Sequence, residues 1–169
     1  MHTEPQAFAP FRSAFRSFFL PVAGAVALVA FLLSALAARA EVNRVTFPTN
    51  LDQLVHYTTV KRGEVTEHLL TTQEAIDAIK LGKLIPSGTH VVLVDYRDNK
   101  VFRYFVMEKK DGWGAEFAPA RRTGDWQFQH FKADKTVNLS ENSARCQSCH
   151  QGREDDQHLY TLSDMKRFK

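Results

Sequence analysis

Cys146, Gln147, Ser148, Cys149 and His150 run consecutively near the end of the chain and form the C-x-x-C-H pattern through which c-type haem is attached. Two thiols three positions apart can each add to a vinyl group of the porphyrin, and the histidine beside the second is then held beneath the iron. The same thiols could instead form a thioredoxin-like dithiol or half of a zinc site. A redox dithiol usually opens a helix after a strand early in a domain, and zinc would need two more thiolate or imidazole ligands at matching spacing. The sequence supplies neither context, so the pattern predicts covalent haem c on Cys146 and Cys149, with His150 as the iron ligand.

Other side chains could reach an iron. His56, His68, His90, His130 and His158 are each a candidate sixth ligand or proton relay, but no spacing ties any of them to the motif, and a lone histidine in a strand or loop is usually structural. His130 is the best placed, because an extended Asp125–Phe131 segment would put it on one face with Trp126 and Phe128. Met107 and Met165 could supply the thioether of a simple electron-transfer cytochrome. Such proteins usually carry the haem motif early and the methionine far downstream. Here Met165 follows His150 by only 15 residues.

The first 40 residues read as a targeting segment. Arg12 and Arg16 form a positive n-region, Phe18 to Leu36 is apolar apart from Pro21, Gly24 and Ser34, and Ala38-Arg39-Ala40 is a small-x-small cleavage site. Cleavage would leave Glu41 at the new N-terminus, with residues 41–169 as one haem domain in the periplasm. The apolar run is also long enough to span a bilayer, so an uncleaved anchor is the alternative, and the only membrane contact expected. Export suits the motif, since bacteria attach haem to C-x-x-C-H outside the cytoplasmic membrane.

Removing 40 of 169 residues leaves 129, the size of one domain with a single core. Taking Arg12, Arg16 and Arg39 from 22 Lys+Arg, and Glu4 from 19 Asp+Glu, leaves 19 against 18, a net charge of +1. So even a balance argues against nucleic acid as a partner, since that needs a clustered basic face. Both cysteines belong to the motif, which leaves none for a structural disulfide.

The elements that must position the motif follow from periodicity. Asn50 would cap a short helix from Leu51, with Leu54 and Val55 at helical spacing, and Val60 to Gly63 reads as a turn. Val65 to Leu70 is apolar and ambiguous in type. Thr71-Thr72-Gln73-Glu74 reads as a capping box that starts a helix to Leu81, with Ala75, Ile76 and Ile79 facing the core and Gly82 as its stop. Thr89–Tyr96 and Val101–Met107 are rich in β-branched and aromatic residues around the turn residues Arg97 to Lys100, which predicts an antiparallel hairpin. Both strands are apolar almost throughout, implying cover on both faces: haem or helices on one, and a partner subunit as a candidate for the other. Lys109 to Gly124 is a polar loop around Gly112-Trp113-Gly114. Asp125–Phe131 alternates rings with polar residues and predicts a third strand.

Gly82, the Gly88-Thr89 turn opening a strand, the Trp126–Phe131 strand, and a C-terminal C-x-x-C-H followed by an acidic segment and Leu159-Tyr160-Thr161 together resemble the cytochrome P460 family and the related cytochrome c′-beta proteins. The resemblance covers essentially all of residues 41–169. It implies an α+β fold, an antiparallel β-rich sheet with flanking helices enclosing one five-coordinate haem, usually as a homodimer.

In one respect the chain departs from that pattern. Family members that oxidise hydroxylamine carry a lysine, cross-linked to the porphyrin edge, five residues after the glycine of the Gly-Thr turn. That position is Leu93 here, and Val91, Val92, Val94 and Asp95 are not lysine either. Leu93 then reads as a core residue giving apolar surface near the haem. Glu154, Asp155 and Asp156 lie where active members place a second-sphere carboxylate, but they read more simply as a solvated face. The expected protein is a monohaem c-type cytochrome binding diatomic ligands such as nitric oxide, because a five-coordinate iron under an apolar wall favours uncharged ligands. A redox partner protein is expected as well. The alternatives are a hydroxylamine oxidoreductase and a six-coordinate electron carrier.

Overall fold

Five antiparallel strands in sequential order, β1 Val55–Arg62, β2 Val65–Thr71, β3 His90–Arg97, β4 Lys100–Lys109 and β5 Trp126–Lys132, form one sheet in the computed structural model, which describes residues 43–169. Helix α1 Gln73–Lys80 links β2 to β3, and two further helices, α2 Ala144–His150 and α3 Leu162–Arg167, follow the last strand. The expected α+β class and flanking helices are therefore present. The predicted targeting segment lies outside the described residues. No described helix is long and apolar enough to cross a membrane.

The β3–β4 hairpin forms where predicted. Its two turn residues, Asp98 and Asn99, both take positive φ (50° and 58°), the type I′ geometry whose twist matches that of paired strands. Val91, Leu93 and Asp95 on β3 oppose Met107, Phe105 and Arg103 on β4. The strand expected at Asp125–Phe131 is β5, opposite β4.

Three local expectations need correction. Leu51–Gln53 is only a single 3-10 turn without a side-chain cap from Asn50, and Val55, read as helical, opens the eight-residue strand β1. The helical spacing of Leu51, Leu54 and Val55 misled here: the Val, Tyr and Thr residues of β1 suit a strand, and β2 holds it along nearly its whole length. The cap of α1 is Thr72, not Thr71: the Thr72 hydroxyl accepts from the Ala75 amide at 3.2 Å, whereas Thr71 is buried at the end of β2 and donates to the His90 carbonyl at 2.8 Å. The stripe of Ala75, Ile76 and Ile79 faces the core as expected. The loop Lys109–Gly124 is also less polar in role than in composition, since Trp113 and Phe117 are buried in it.

Each sheet face has its own core. On one, Val91, Met107 and Phe128 join Ile76 and Ile79 of α1 and Leu162 and Met165 of α3. On the other, Val92, Val94, Tyr104, Val106 and Phe131 pack with Val45, Leu54 and Trp113. That second face, for which a partner subunit was a candidate cover, is closed by the chain's own segment before β1. Its seam is polar: the Arg44 amide donates to Gln127 Oε1 at 3.0 Å, the Thr46 amide to Glu108 Oε2 at 3.1 Å, and Arg44 pairs with Glu116 at 2.8 Å. The Phe47 ring meets Tyr104 and Phe131 edge-on at 5.0 and 5.2 Å.

Candidate haem site

Short helix α2 carries the whole motif against the first sheet face. Its buried side is Gln147, whose Oε1 accepts from Arg121 at 3.1 Å, and Gln151 donates to the Ala120 carbonyl at 2.6 Å, so the helix is tied to the turn before β5. Cys146, Cys149 and His150 are left lining a cavity of about 620 Å³, the size range of cofactor sites. Leu69, Leu93 and Phe105 line the same cavity from the sheet, where Leu93 pairs with both neighbours.

The geometry of His150 determines which of its nitrogens is usable. Its Nδ1 lies 2.5 Å from the backbone carbonyl oxygen of His158. That nitrogen must therefore carry the proton and donate, which leaves Nε2 with a lone pair. Burial is the main influence on the ring and lowers its pKa, partly opposed by the bond to His158. The result is neutral imidazole, the form that ligates a metal. Phe128 packs against the ring at 4.9 Å and Tyr160 stands perpendicular to it at 5.1 Å.

The carbonyl that fixes His150 is presented by a strained turn. Gln157 and His158 both have positive φ, 52° and 64°, a conformation that costs non-glycine residues about 1–3 kcal/mol and persists only when its surroundings impose it. Here they do so through Gln157. Its carbonyl accepts from Trp126 Nε1 at 3.0 Å, its Oε1 accepts from the Ile85 amide at 2.8 Å, and its Nε2 donates to the Lys83 carbonyl at 3.1 Å. The His158 ring in turn bonds back through Nδ1 to the His150 carbonyl at 3.1 Å. Neither residue has a sequence signal for this role, because it depends on three segments meeting.

The remaining candidates separate clearly. His130 shares the cavity face of β5 with Phe128, as expected, and its Nε2 lies 3.1 Å from Cys146 Sγ. His56, His68, His90 and His158 do not line the cavity. His56 stacks on His68 at 4.3 Å, and His90 sits 3.3 Å from Glu108. Met165 is fully buried in the core between helices and sheet and cannot serve as a ligand without leaving it. Met107 does line the cavity, opposite Phe128 in the β4–β5 register. Glu154 and Asp155 are exposed, Asp156 pairs with Arg153 at 3.5 Å, and none of the three reaches the cavity.

Charged residues missed by the sequence reading gather on the sheet side. Asp95 is buried and accepts from Arg103 Nε at 3.0 Å, while Arg103 Nη1 reaches Glu141 at 2.9 Å. Glu67 lines the cavity on β2 and pairs with Arg62 at 3.2 Å. Among the described residues no cluster of three or more His, Cys, Asp or Glu is arranged to hold a bare metal ion. His150 and the two thiols of its helix line a large, mostly apolar cavity, with His130 and Met107 on the sheet side, a lining that fits an iron porphyrin.

No curated protein matches the chain significantly. The profile of the family described as cytochrome P460 matches residues 51–161, a span that includes all five strands, the C-x-x-C-H helix and the turn behind His150. With a haem motif, a fitting cavity and that match over more than half its length, the chain belongs to the cytochrome P460 family of haem cytochromes.

Proposed function

We propose that this protein is an exported monohaem c-type cytochrome that binds small uncharged diatomic ligands, nitric oxide among them, at a five-coordinate iron. Haem would be attached through Cys146 and Cys149 and held by His150 Nε2. Bound there, the haem would supply an iron able to take a small gas ligand. The observation that carries the reading is the middle of the sheet wall, where Leu69, Leu93 and Phe105 offer no ligating atom, while Glu67 beside them on β2 is paired with Arg62. His130 Nε2 is directed at Cys146, and Met107 is packed beside Phe128, the ring that flanks His150.

Residues 1–40 act as the export signal, and 41–169 as the haem domain working in the periplasm, as a homodimer served by a redox protein. Leu93 gives the cavity apolar surface where catalytic relatives carry a lysine, and this favours gas binding over hydroxylamine oxidation.

Optical spectra of the ferric and ferrous protein, with and without nitric oxide, test the reading. High-spin five-coordinate spectra that change on adding the gas are expected. A low-spin six-coordinate spectrum in both oxidation states would assign the protein to electron transfer instead.

A further inference from the structure

Cys146 is one end of a series of polar side chains that reaches deep into the sheet. His130 Nε2 stands 3.1 Å from its Sγ. Behind the imidazole, His130 Nδ1 faces Glu141 Oε2 at 3.7 Å, and it is a buried nitrogen with no closer protein partner. Glu141 is fixed in turn by Arg103, and Arg103 by buried Asp95. The order thiol, imidazole, carboxylate is that of an activated cysteine nucleophile, with the carboxylate orienting the ring. Cys149, on the exposed side of the same helix, has no such partner among the described side chains.

A thiol that adds to an alkene needs this kind of help. We propose that His130 is the acid–base group for covalent attachment at Cys146, positioned by Glu141, an inference that rests on the haem c reading above. As the Cys146 sulfur bonds to the inner carbon of a porphyrin vinyl group, the S–H bond breaks and His130 Nε2 takes the proton. The C=C double bond becomes single, and the proton is returned to its terminal carbon. The addition is balanced: one S–C and one C–H bond form, one S–H and one C–C π bond are lost, and no electron is gained or released.

The resting state suits a group that acts only during bond formation. Burial is the main cause both of the raised pKa of the Cys146 thiol, pushed up to about 11, and of the lowered pKa of His130. The pair therefore rests as thiol and neutral imidazole, so Cys146 is not a standing thiolate open to oxidation. Other groups near the ring are Arg103 and Arg145, which oppose its protonation, and Glu141, which favours it. The proton moves when the sulfur has a carbon to attack.

The test is the attachment pattern, read independently of gas binding. The full chain, its His130→Leu and His130→Gln variants, and Glu141→Gln are produced in a host that attaches haem c, and the haem-bearing peptides are sequenced by mass spectrometry. The wild type is expected to carry both thioethers. Most haem on the His130 variants is expected on Cys149 alone, with Cys146 free to alkylation, and Glu141→Gln is expected to fall between. His130→Gln keeps a polar side chain of similar reach without a basic ring nitrogen, so it preserves the fold if the leucine does not. Both thioethers in wild-type proportion on folded His130→Gln would overturn the role of His130 while leaving the haem c reading intact. Absence of thioether-bound haem from the wild type would instead sink the haem c reading, and this inference with it.

Discussion

His150 and His158 are locked to each other through their backbones: each ring Nδ1 meets the other residue's carbonyl oxygen, at 2.5 Å from His150 to His158 and 3.1 Å in return. The seven residues between them fold so that the helix carrying His150 and a left-handed turn close on one another. One direction of the exchange selects the His150 tautomer, and the other holds the turn that does the selecting.

His158→Gly should be mild and His158→Pro severe. Glycine keeps the carbonyl and tolerates φ of 64°, so losing one side-chain hydrogen bond should cost about 1 kcal/mol or less. Proline fixes φ near −65° and removes the amide that donates to the Arg153 carbonyl at 2.6 Å, an incompatibility worth about 3 kcal/mol or more. Thermal unfolding and haem retention would be compared. Equal loss in both variants would mean that the carbonyl is not what positions His150.

The two thiols of haem-free chain should alkylate in order. Cys149 is exposed, whereas burial pushes the Cys146 thiol from 9.0 up to about 11, making its thiolate roughly 100-fold scarcer near neutral pH. An iodoacetamide pulse at pH 8 should label Cys149 first. Labelling of Cys146 should rise as pH approaches 11. Peptide mapping that finds Cys146 labelled as fast as Cys149 would contradict the burial argument.

Gly114→Ala should destabilise the domain. A methyl group on Gly114 would come within 2.1 Å of the Gly124 carbonyl oxygen, and Gly124 itself lies against the His158 ring. Overpacking of this kind costs about 1–3 kcal/mol. A denaturant midpoint unchanged from wild type would show that the loop yields freely. Because the clash lies behind His158, haem affinity should fall along with stability.

The proposed preference for gas binding over nitrogen-compound oxidation rests on Leu93. The protein is expected to bind nitric oxide in the ferrous state, with an ordinary c-type spectrum and little or no hydroxylamine turnover on an artificial electron acceptor. Leu93→Lys would place an ammonium between Leu69 and Phe105, where it must lose its charge, react or destabilise the fold. Rapid hydroxylamine turnover by the wild type, or a strongly red-shifted Soret band, would show that another residue takes the lysine's part.

What could be read from the sequence is what neighbouring residues impose on each other. The C-x-x-C-H run is contiguous, so it can be recognised without the fold. The β3–β4 hairpin was legible because its strands and its Asp98-Asn99 turn lie within twenty residues, and the β-branched and aromatic content of both strands agrees with the turn. Val55–Arg62 was misread from the spacing of Leu51, Leu54 and Val55, although its Val, Tyr and Thr residues suit a strand and β2 pairs it along nearly its whole length. The cap moved from Thr71 to Thr72 because the end of β2, not the box pattern, decides where the helix can start. The contacts that make the site were beyond the sequence altogether. His130 meets Cys146 because β5 and α2 pack on one sheet face, and His158 meets His150 because Gln157 is gripped from the β5 and pre-β3 segments at once. Local sequence chose the reactive atoms, but their partners were chosen by distance in space, which no spacing along the chain encodes.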